Sequence, residues 1–334
     1  MTNRLELNWN LNGIVDEQRY YCSEAPIDPL ALPTPKAVLD GDVRTYTDMA
    51  ITAGLTYYVC VSSVKNGVEK LSEQVVLTAS QWSPAQIAIT PKIYLDDTSM
   101  TEGGWNSKTN TAYNFTAYNT APVKVSASLS GHAVYRFGGA GGFVANLANT
   151  QDFAKSKTSV YVFAVVKLNT LTSTYKRIFT VTGTNRNTAN SKFSLFNGNA
   201  SGLAYWGSSE SLSQVEQSAA YLNSTDTEMV LLHVDYNAGK HRFYRNGSLF
   251  YEMNIATDSF PNVSSTFPMS IGYYNRTASP NIPDQFTDSD IACLVANDEP
   301  ITQQEIDKVF GWAAHRYGLT ANLPANHLYK TVAP

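Results

Sequence analysis

The chain reads as an all-β protein of two sandwich-like domains, with one amphipathic helix near its end. Three observations carry that reading. Between Met229 and Met253 three apolar-rich runs are broken at Asn237-Ala238-Gly239 and at Asn246-Gly247; Asn-Gly between such runs marks a hairpin, because both residues tolerate positive φ. Short apolar runs recur between turn residues along most of the sequence, the spacing of a sandwich. Finally, 334 residues exceed what one small core organises, and the composition becomes rich in Tyr, Asn and Gly from Lys92 onward.

Charged residues make up 16% of the chain, against a usual share of about 25%. Tyr, Asn, Ser and Thr supply polarity instead, and such a surface suits sugar or protein contacts better than phosphate contacts. A net charge of -4 leaves no basic footprint for nucleic acid, and no basic amphipathic helix argues for a membrane surface. The longest apolar run, Val160 to Val166, falls far short of the roughly 20 residues of a membrane helix. The opening MTNRLELNWN lacks a charged-then-apolar leader pattern, so synthesis in the cytoplasm without a signal peptide is expected. Three cysteines cannot all pair. With Tyr20 and Cys22 inward on one strand, and Tyr57, Val59 and Val61 inward on another, alternation sends Cys60 outward, and free thiols are expected.

Residues 1–80 form the first expected domain. Leu5, Leu7 and Trp9 alternate with polar residues, Asn12-Gly13 turns the chain, and Arg19 to Ser23 makes a second strand. The four prolines of APIDPLALPTPK cannot supply a central strand and read as a crossing loop. Asp40-Gly41-Asp42 is a further turn. Gly54 to Val64 is a longer strand, Lys65-Asn66-Gly67 reverses it, and a last strand lies near Gln74 to Thr78. This combination resembles a fibronectin type III domain: Trp9 early, Tyr20 on the next strand, then Leu55, Tyr57 and Val61 in one run. The resemblance implies a tyrosine corner at Tyr57, whose hydroxyl ties a loop to its strand. One departure is that the Trp9 strand lies so near Met1 that little remains for a first strand, which leaves that edge open or covered by a partner.

Residues 81–91 are expected as a short linker, held fairly stiff by Pro84 and Pro91. Residues 92–334 then carry the second domain. Strands are expected at Ile93 to Leu95, Ala133 to Phe137, Ser159 to Lys167, Arg177 to Val181, Phe193 to Phe196, Gly202 to Trp206, the Met229–Met253 meander, Met269 to Tyr274 and Ile291 to Val295. SVYVFAVVK, apolar at consecutive positions, suits a strand buried on both faces. Thr302 and Glu305 form a capping box. Ile306, Val309, Phe310, Ala313 and Tyr317 share a helix face, and Gly318 closes the helix. Its expected role is a strap on the sandwich.

In order and spacing, IYLDDTS, GGWNSKTNTAYNF, GHAVYRFGG, SVYVFAVVK, FYRNGSLF, MSIGYYN, the helix and LPANHLYK resemble the concanavalin A-like lectin/glucanase superfamily in its laminin-G-like form. The resemblance implies a jelly-roll sandwich and a structural role for Trp105. It departs at Cys293, where many relatives carry a carboxylate.

That superfamily includes glucanases, which need two carboxyl groups about 5–5.5 Å apart if retaining. No E-x-D-x-x-E strand occurs, and Glu210 to Glu216 and Asp226-Thr227-Glu228 have the wrong spacing, so no catalytic residue is expected. Gly138 to Gly142 is followed by no capped helix and reads as a turn. His132, His233, His241 and His327 form no H-x-x-x-H or Cys/His pair and are read as structural. Asp96, Asp97, Asp235 and Asn237 offer hard oxygens for calcium, although turn formation explains them equally well; otherwise no cofactor is expected.

For carbohydrate, the useful residues are aromatics that stack on sugar faces beside amides and guanidinium groups. Tyr205, Trp206, Tyr273, Tyr274, Asn275 and Arg276 are the candidates, with alternation sending about half of the aromatics inward. Adhesion-type modules without a leader pattern or a disulfide framework fit together in a bacteriophage virion protein, which is made in the host cytoplasm and released by lysis. The expectation is a non-enzymatic virion surface protein, a capsid decoration or tail-associated protein. Its first domain docks to other virion proteins and its second contacts host cell-surface polysaccharide, with no nucleic-acid partner and no membrane insertion. A purely structural decoration or tail protein is the alternative, and a glycan hydrolase the third reading.

Overall fold

The computed structural model describes residues 5–52, 54–79, 82–170, 176–181, 193–197, 203–207, 215–217, 224–278, 281–284 and 286–334, with the backbone alone at 196–197, 203–207, 215–217, 274–278 and 281–284. The chain divides into two compact units: Met1–Trp82 with Val332–Pro334, and Ser83–Thr331. Both are built of β-structure. Among the described residues no helix is long and apolar enough to cross a membrane.

The first unit contains β1 (Leu5–Asn8), β2 (Glu17–Ser23), β3 (Ala37–Asp40), β4 (Thr45–Asp48), β5 (Thr56–Lys65), β6 (Val68–Leu71) and β7 (Val75–Thr78). β1 pairs with β4 in a two-stranded sheet; the larger sheet runs β3-β2-β5-β6, and β7 also pairs with β5. The β5–β6 reversal uses Asn66 at φ 50° and Gly67 at φ 73°, the positive angles that a two-residue hairpin requires. Tyr20, Ile51, Tyr57 and Val59 are buried between the sheets, with Leu5, Leu7 and Tyr46 packed against them. Two hydroxyls bind this core to the structure around it. Tyr20 donates to Asp48 Oδ2 at 3.0 Å, linking β2 to β4, and Tyr57 accepts from the Thr52 N–H at 2.9 Å, fixing the loop that precedes β5.

The cysteines are free thiols. Cys60 lies on the opposite face of β5 from Tyr57 and Val59, as alternation requires, yet it is buried with Tyr21 and Ile27, and Leu32 packs against them. Outward on this strand therefore does not mean exposed. Ile27 and Leu32 come from the proline-rich crossing loop, which shields that face as well.

In the second unit the strands follow as β8 (Ile93–Leu95), β9 (Gly104–Trp105), β10 (Phe115–Asn119), β11 (Val123–Leu129), β12 (His132–Gly138) and β13 (Gly141–Ala145). After the short helix α1 (Leu147–Thr150) come β14 (Ser159–Leu168), β15 (Lys176–Val181), β16 (Phe193–Asn197), β17 (Leu203–Gly207), β18 (Val215–Gln217) and β19 (Thr227–Asp235). The unit continues with β20 (Lys240–Arg245), β21 (Ser248–Asn254), β22 (Ser270–Ile271), β23 (Tyr274–Ala278), β24 (Asn281–Asp284), β25 (Asp288–Asn297) and the helix α2 (Gln303–Arg316).

Two eight-stranded sheets face each other. One runs β18-β17-β16-β15-β22-β13-β10-β9; the other runs β11-β12-β25-β14-β19-β20-β21, with β8 joined to β25. Phe143, Phe179, Leu195 and Ile271 from the first pack against Val160, Val162, Ala164, Val230 and Leu232 from the second. The β20–β21 hairpin turns at Asn246 and Gly247, at φ 50° and 82°. Every residue from Ser159 to Val166 is buried, because α2 covers the outer face of that sheet: Phe310 meets Phe163 edge-on with centroids 5.2 Å apart. A large apolar side chain fully buried in this way contributes about 1.5–3 kcal/mol.

The N-terminus of α2 is closed by its capping box, Thr302 accepting from the Glu305 N–H and Glu305 accepting from the Thr302 N–H. Residues 83–91 include a short turn, Pro84–Gln86, and Ala88 N–H donates to Glu305 at 2.9 Å. That segment is thus tied to the helix start.

Candidate functional site

One register row crosses the whole first sheet of the second unit. Gly104 pairs with Thr116, Thr116 with Val144, Val144 with Ser270, Ser270 with Thr180, Thr180 with Ser194, Ser194 with Trp206, and Trp206 with Glu216. Residues opposed in an antiparallel ladder share a face, so Thr116, Ser270, Thr180 and Ser194 line the face turned away from the core. The neighbouring row holds Phe143, Ile271, Phe179 and Leu195, all of them core residues.

The middle of the polar row is a bonded cluster. Arg177 Nη1 donates to Ser194 Oγ at 3.0 Å, and Ser194 Oγ lies 3.1 Å from Thr180 Oγ1. Ser270 donates to the Tyr273 carbonyl at 2.8 Å. Arg177, Thr180, Ser194 and Ser270 are all at most 2% exposed, whereas Thr116 at the far end of the row is exposed. A buried guanidinium is stable only where hydrogen-bond acceptors surround it, so this stretch is a polar floor built into the sheet.

Sequence reasoning passed over Arg177, Thr180, Ser194 and Ser270. The signal present in the sequence was the alternation Phe193-Ser194-Leu195, which marks Ser194 as facing away from the core. Nothing local joins Ser194 to Ser270, which only the register brings together.

Of the aromatic and polar candidates, Tyr205 and Trp206 fall on different rows: the backbone of Tyr205 is in register with Leu195, that of Trp206 with Ser194. Their side chains, and those of Tyr274, Asn275 and Arg276, lie outside the described residues. Tyr273 is described and its ring is fully buried. The ring stacks on Tyr118 with centroids 4.9 Å apart, in space left by Gly142, where an added Cβ would sit 2.6 Å from the ring. Tyr273 is therefore corrected from a sugar platform to a packing residue.

The calcium candidates carry out structural work with protein partners. Asp96 is fully buried and accepts from Tyr94, from the Thr98 N–H and hydroxyl, and from Lys108, at 2.6–2.9 Å. Burial alone would raise its carboxyl, but the bonds from Thr98 and Lys108 outweigh that and hold it below the usual carboxylate range. Asp97 pairs with Arg316 at 2.6 Å and lies 3.0 Å from His132 Nδ1. Asp235 accepts from the Ala238 N–H and Asn237 donates to Thr158, closing the β19–β20 turn. Among the described residues no three His, Cys, Asp or Glu side chains converge as a metal set.

Asp288 and Asp290 alternate on β25 and both accept from Asn169 Nδ2, at 3.1 and 3.3 Å. Burial pushes Asp290 up, yet Arg136, bonded through two nitrogens at 2.8 and 2.7 Å, brings it below the usual range. A glycosidase acid needs the opposite shift. His233 and His241 are buried on β19 and β20, and burial pushes them down to about 4 and about 3. They stay neutral at physiological pH.

No family model matches the sequence, and no curated protein matches it. Solved structures overlap it slightly. The binding domain of Botulinum neurotoxin serotype D aligns with a TM-score of 0.48 at 12% identity, over 68% of this chain and 52% of its own. Domain 4 of an extracellular arabinanase from Geobacillus stearothermophilus, solved with arabinotriose, aligns at 0.47 and 13% identity, over 65% of this chain and 96% of its own. A Trypanosoma rangeli sialidase in complex with sialic acid aligns at 0.44 and 12% identity, over 76% of this chain and 42% of its own. This chain thus spans about half of the neurotoxin domain and less than half of the sialidase. Overlap this slight carries no inference about function.

Proposed function

We propose that this chain is a non-enzymatic, carbohydrate-binding protein of a bacteriophage virion surface, on capsid or tail. Its first unit docks to other virion proteins, and its second contacts host cell-surface polysaccharide along the polar sheet face. The observation that carries the carbohydrate half is the register row in which Trp206 follows Ser194 and Thr180, beside Arg177. An aromatic residue in register with hydroxyl-bearing residues is a combination that suits a sugar's apolar face and its hydroxyls together. Unpaired cysteines, two of them buried, suit folding and assembly in a reducing cytoplasm. The depressed Asp290 carboxyl does not suit the general-acid role of a glycosidase. Binding of the full chain to a glycan array and to host cells tests the reading; no binding to any host-surface glycan removes it.

A second reading, a structural decoration or tail protein without glycan binding, draws support from one observation. The middle of the row is nearly inaccessible, which also fits a polar layer that serves the fold alone. Host-cell binding that is absent while particle attachment persists selects this reading.

A further inference from the structure

Two hairpins share one turn chemistry and differ in what holds the turn. β5 and β6 reverse at Asn66-Gly67 with φ 50° and 73°, and β20 and β21 reverse at Asn246-Gly247 with φ 50° and 82°. In both, an asparagine side chain stands next to a glycine peptide nitrogen that no Cβ screens. The Asn66 side chain is exposed and makes no hydrogen bond among the described residues, while the Asn66 N–H donates to Asp16 Oδ2 at 2.6 Å. A Cβ added to Gly67 would meet no atom within 4 Å. Asn246, by contrast, is clamped. Its Oδ1 accepts from the Met229 N–H at 3.0 Å, its Nδ2 donates to the buried Glu228 carboxylate, and its own N–H donates to the Met229 carbonyl at 2.8 Å. Gly247 is covered as well: a Cβ there would lie 2.8 Å from the His327 ring and 3.0 Å from Leu323.

We propose that Asn66 is a modification site, which converts spontaneously to aspartate and isoaspartate in the folded protein, while the clamp on Asn246 holds it back from the same reaction. The Gly67 nitrogen, having lost its proton to hydroxide, attacks the side-chain carbonyl carbon of Asn66. A C–N bond forms, and Nδ2 leaves as ammonia, taking a proton from water. A second water then opens the cyclic imide. Cleavage of the bond just formed gives aspartate, and cleavage of the original peptide bond gives isoaspartate; the sum is one water consumed and one ammonia released. Before Asn246 can react, its amide must turn away from Met229 and Glu228. Loss of those two bonds, one of them to a charged group, slows the step. Either product puts a carboxylate at position 66, near Asp16, and isoaspartate also lengthens the two-residue turn by one backbone atom. The pairing of Lys65 with Val68 and of Val64 with Glu69 follows from that turn, so the modification loosens β6 and leaves the β20–β21 hairpin intact. It changes the charge of the first unit with time and is independent of glycan binding.

The test ages the full chain in warm, mildly alkaline buffer, once folded and once in concentrated guanidinium chloride. Peptide mapping by chromatography and mass spectrometry follows each Asn-Gly pair, because conversion replaces an amide with an acid and the two products separate on the column. Asn12-Gly13, exposed and outside any strand, serves as the internal clock. In the folded chain Asn66 is expected to convert along with Asn12, and Asn246 at least about tenfold more slowly than Asn66. In the denatured chain the rates at Asn66 and Asn246 should agree within about twofold, since glycine follows each. Asn66 that stays intact while Asn12 converts overturns the proposal, as does Asn246 converting as fast as Asn66 in the folded chain. A difference that persists in denaturant overturns it too, because sequence neighbours and not the clamp would then set the rates. Hydrogen exchange over Val68–Leu71 is expected to accelerate in the aged chain while that over Ser248–Asn254 does not; unchanged exchange in a chain bearing isoaspartate overturns the loosening of β6.

Discussion

Arg316 in the last turn of α2 places Nη2 2.6 Å and Nε 3.0 Å from Asp97 Oδ1. The guanidinium also lies 5.8 Å from the ring centroids of Trp312 and Tyr317. One side chain thus joins the end of the helix to the turn after β8. Asp97→Asn keeps the shape and removes the charge, and it should cost about 1.5–3 kcal/mol, the range for hydrogen bonds to charged groups. Thermal unfolding of the second unit checks this; an unchanged melting temperature would show that the strap is held by its apolar face alone.

The two buried histidines predict a pH dependence with a definite sign. Both have folded pKa values below the unfolded value of about 6.5, at about 4 for His233 and about 3 for His241. The unfolded chain therefore binds more protons in that interval, and stability, complete above pH 6.5, falls as pH drops towards 4 and then 3. Each site contributes a loss on the order of 3 kcal/mol or more once fully titrated. Melting temperatures between pH 7 and pH 4 should fall less steeply for His241→Phe than for wild type, provided the variant remains folded at pH 7.

Tyr205 and Trp206 are adjacent and should nevertheless respond in opposite ways. Tyr205→Ala, whose backbone is in register with core Leu195, should lower the melting temperature more than Trp206→Ala does, since opposed residues share a face. Trp206→Ala should leave the melting temperature within a few degrees and weaken polysaccharide binding about tenfold, roughly 1.4 kcal/mol. Titration of the soluble ligand with both variants decides it, and the reverse pattern would place the sugar on the other row.

In the first unit, Tyr57→Phe removes the acceptor of the Thr52 N–H while keeping the ring in the core. A loss of about 1 kcal/mol is expected. Hydrogen exchange at Thr52 should accelerate, and an unaltered rate would mean that water replaces the hydroxyl at no cost.

Much of the architecture could be read locally. Asn66-Gly67 and Asn246-Gly247 turn where they were expected because positive φ is a property of the residue pair, and the Thr302–Glu305 box starts α2 because three residues suffice to make it. The site was less legible. Arg177 is an ordinary basic residue at the start of a strand, and only its approach to Ser194 shows that it is buried. Tyr273 reads in sequence like the polar and aromatic residues that follow it, and the ring of Tyr118, 155 positions earlier in the chain, is what it stacks on.

By itself the sequence determined the strand and turn alternation, the doubly buried character of Ser159 to Val166, and the helix with its caps, all set by periodicity and short-range hydrogen bonding. Tertiary structure alone decided that Thr116, Ser270, Thr180, Ser194 and Trp206 share a row, that Cys60 is covered on the outward face, and that Met229 and Glu228 hold the Asn246 side chain. Those outcomes depend on which strands become neighbours and on what packs over each face. Pairing of this kind joins residues tens to more than a hundred positions apart, beyond the reach of any local pattern.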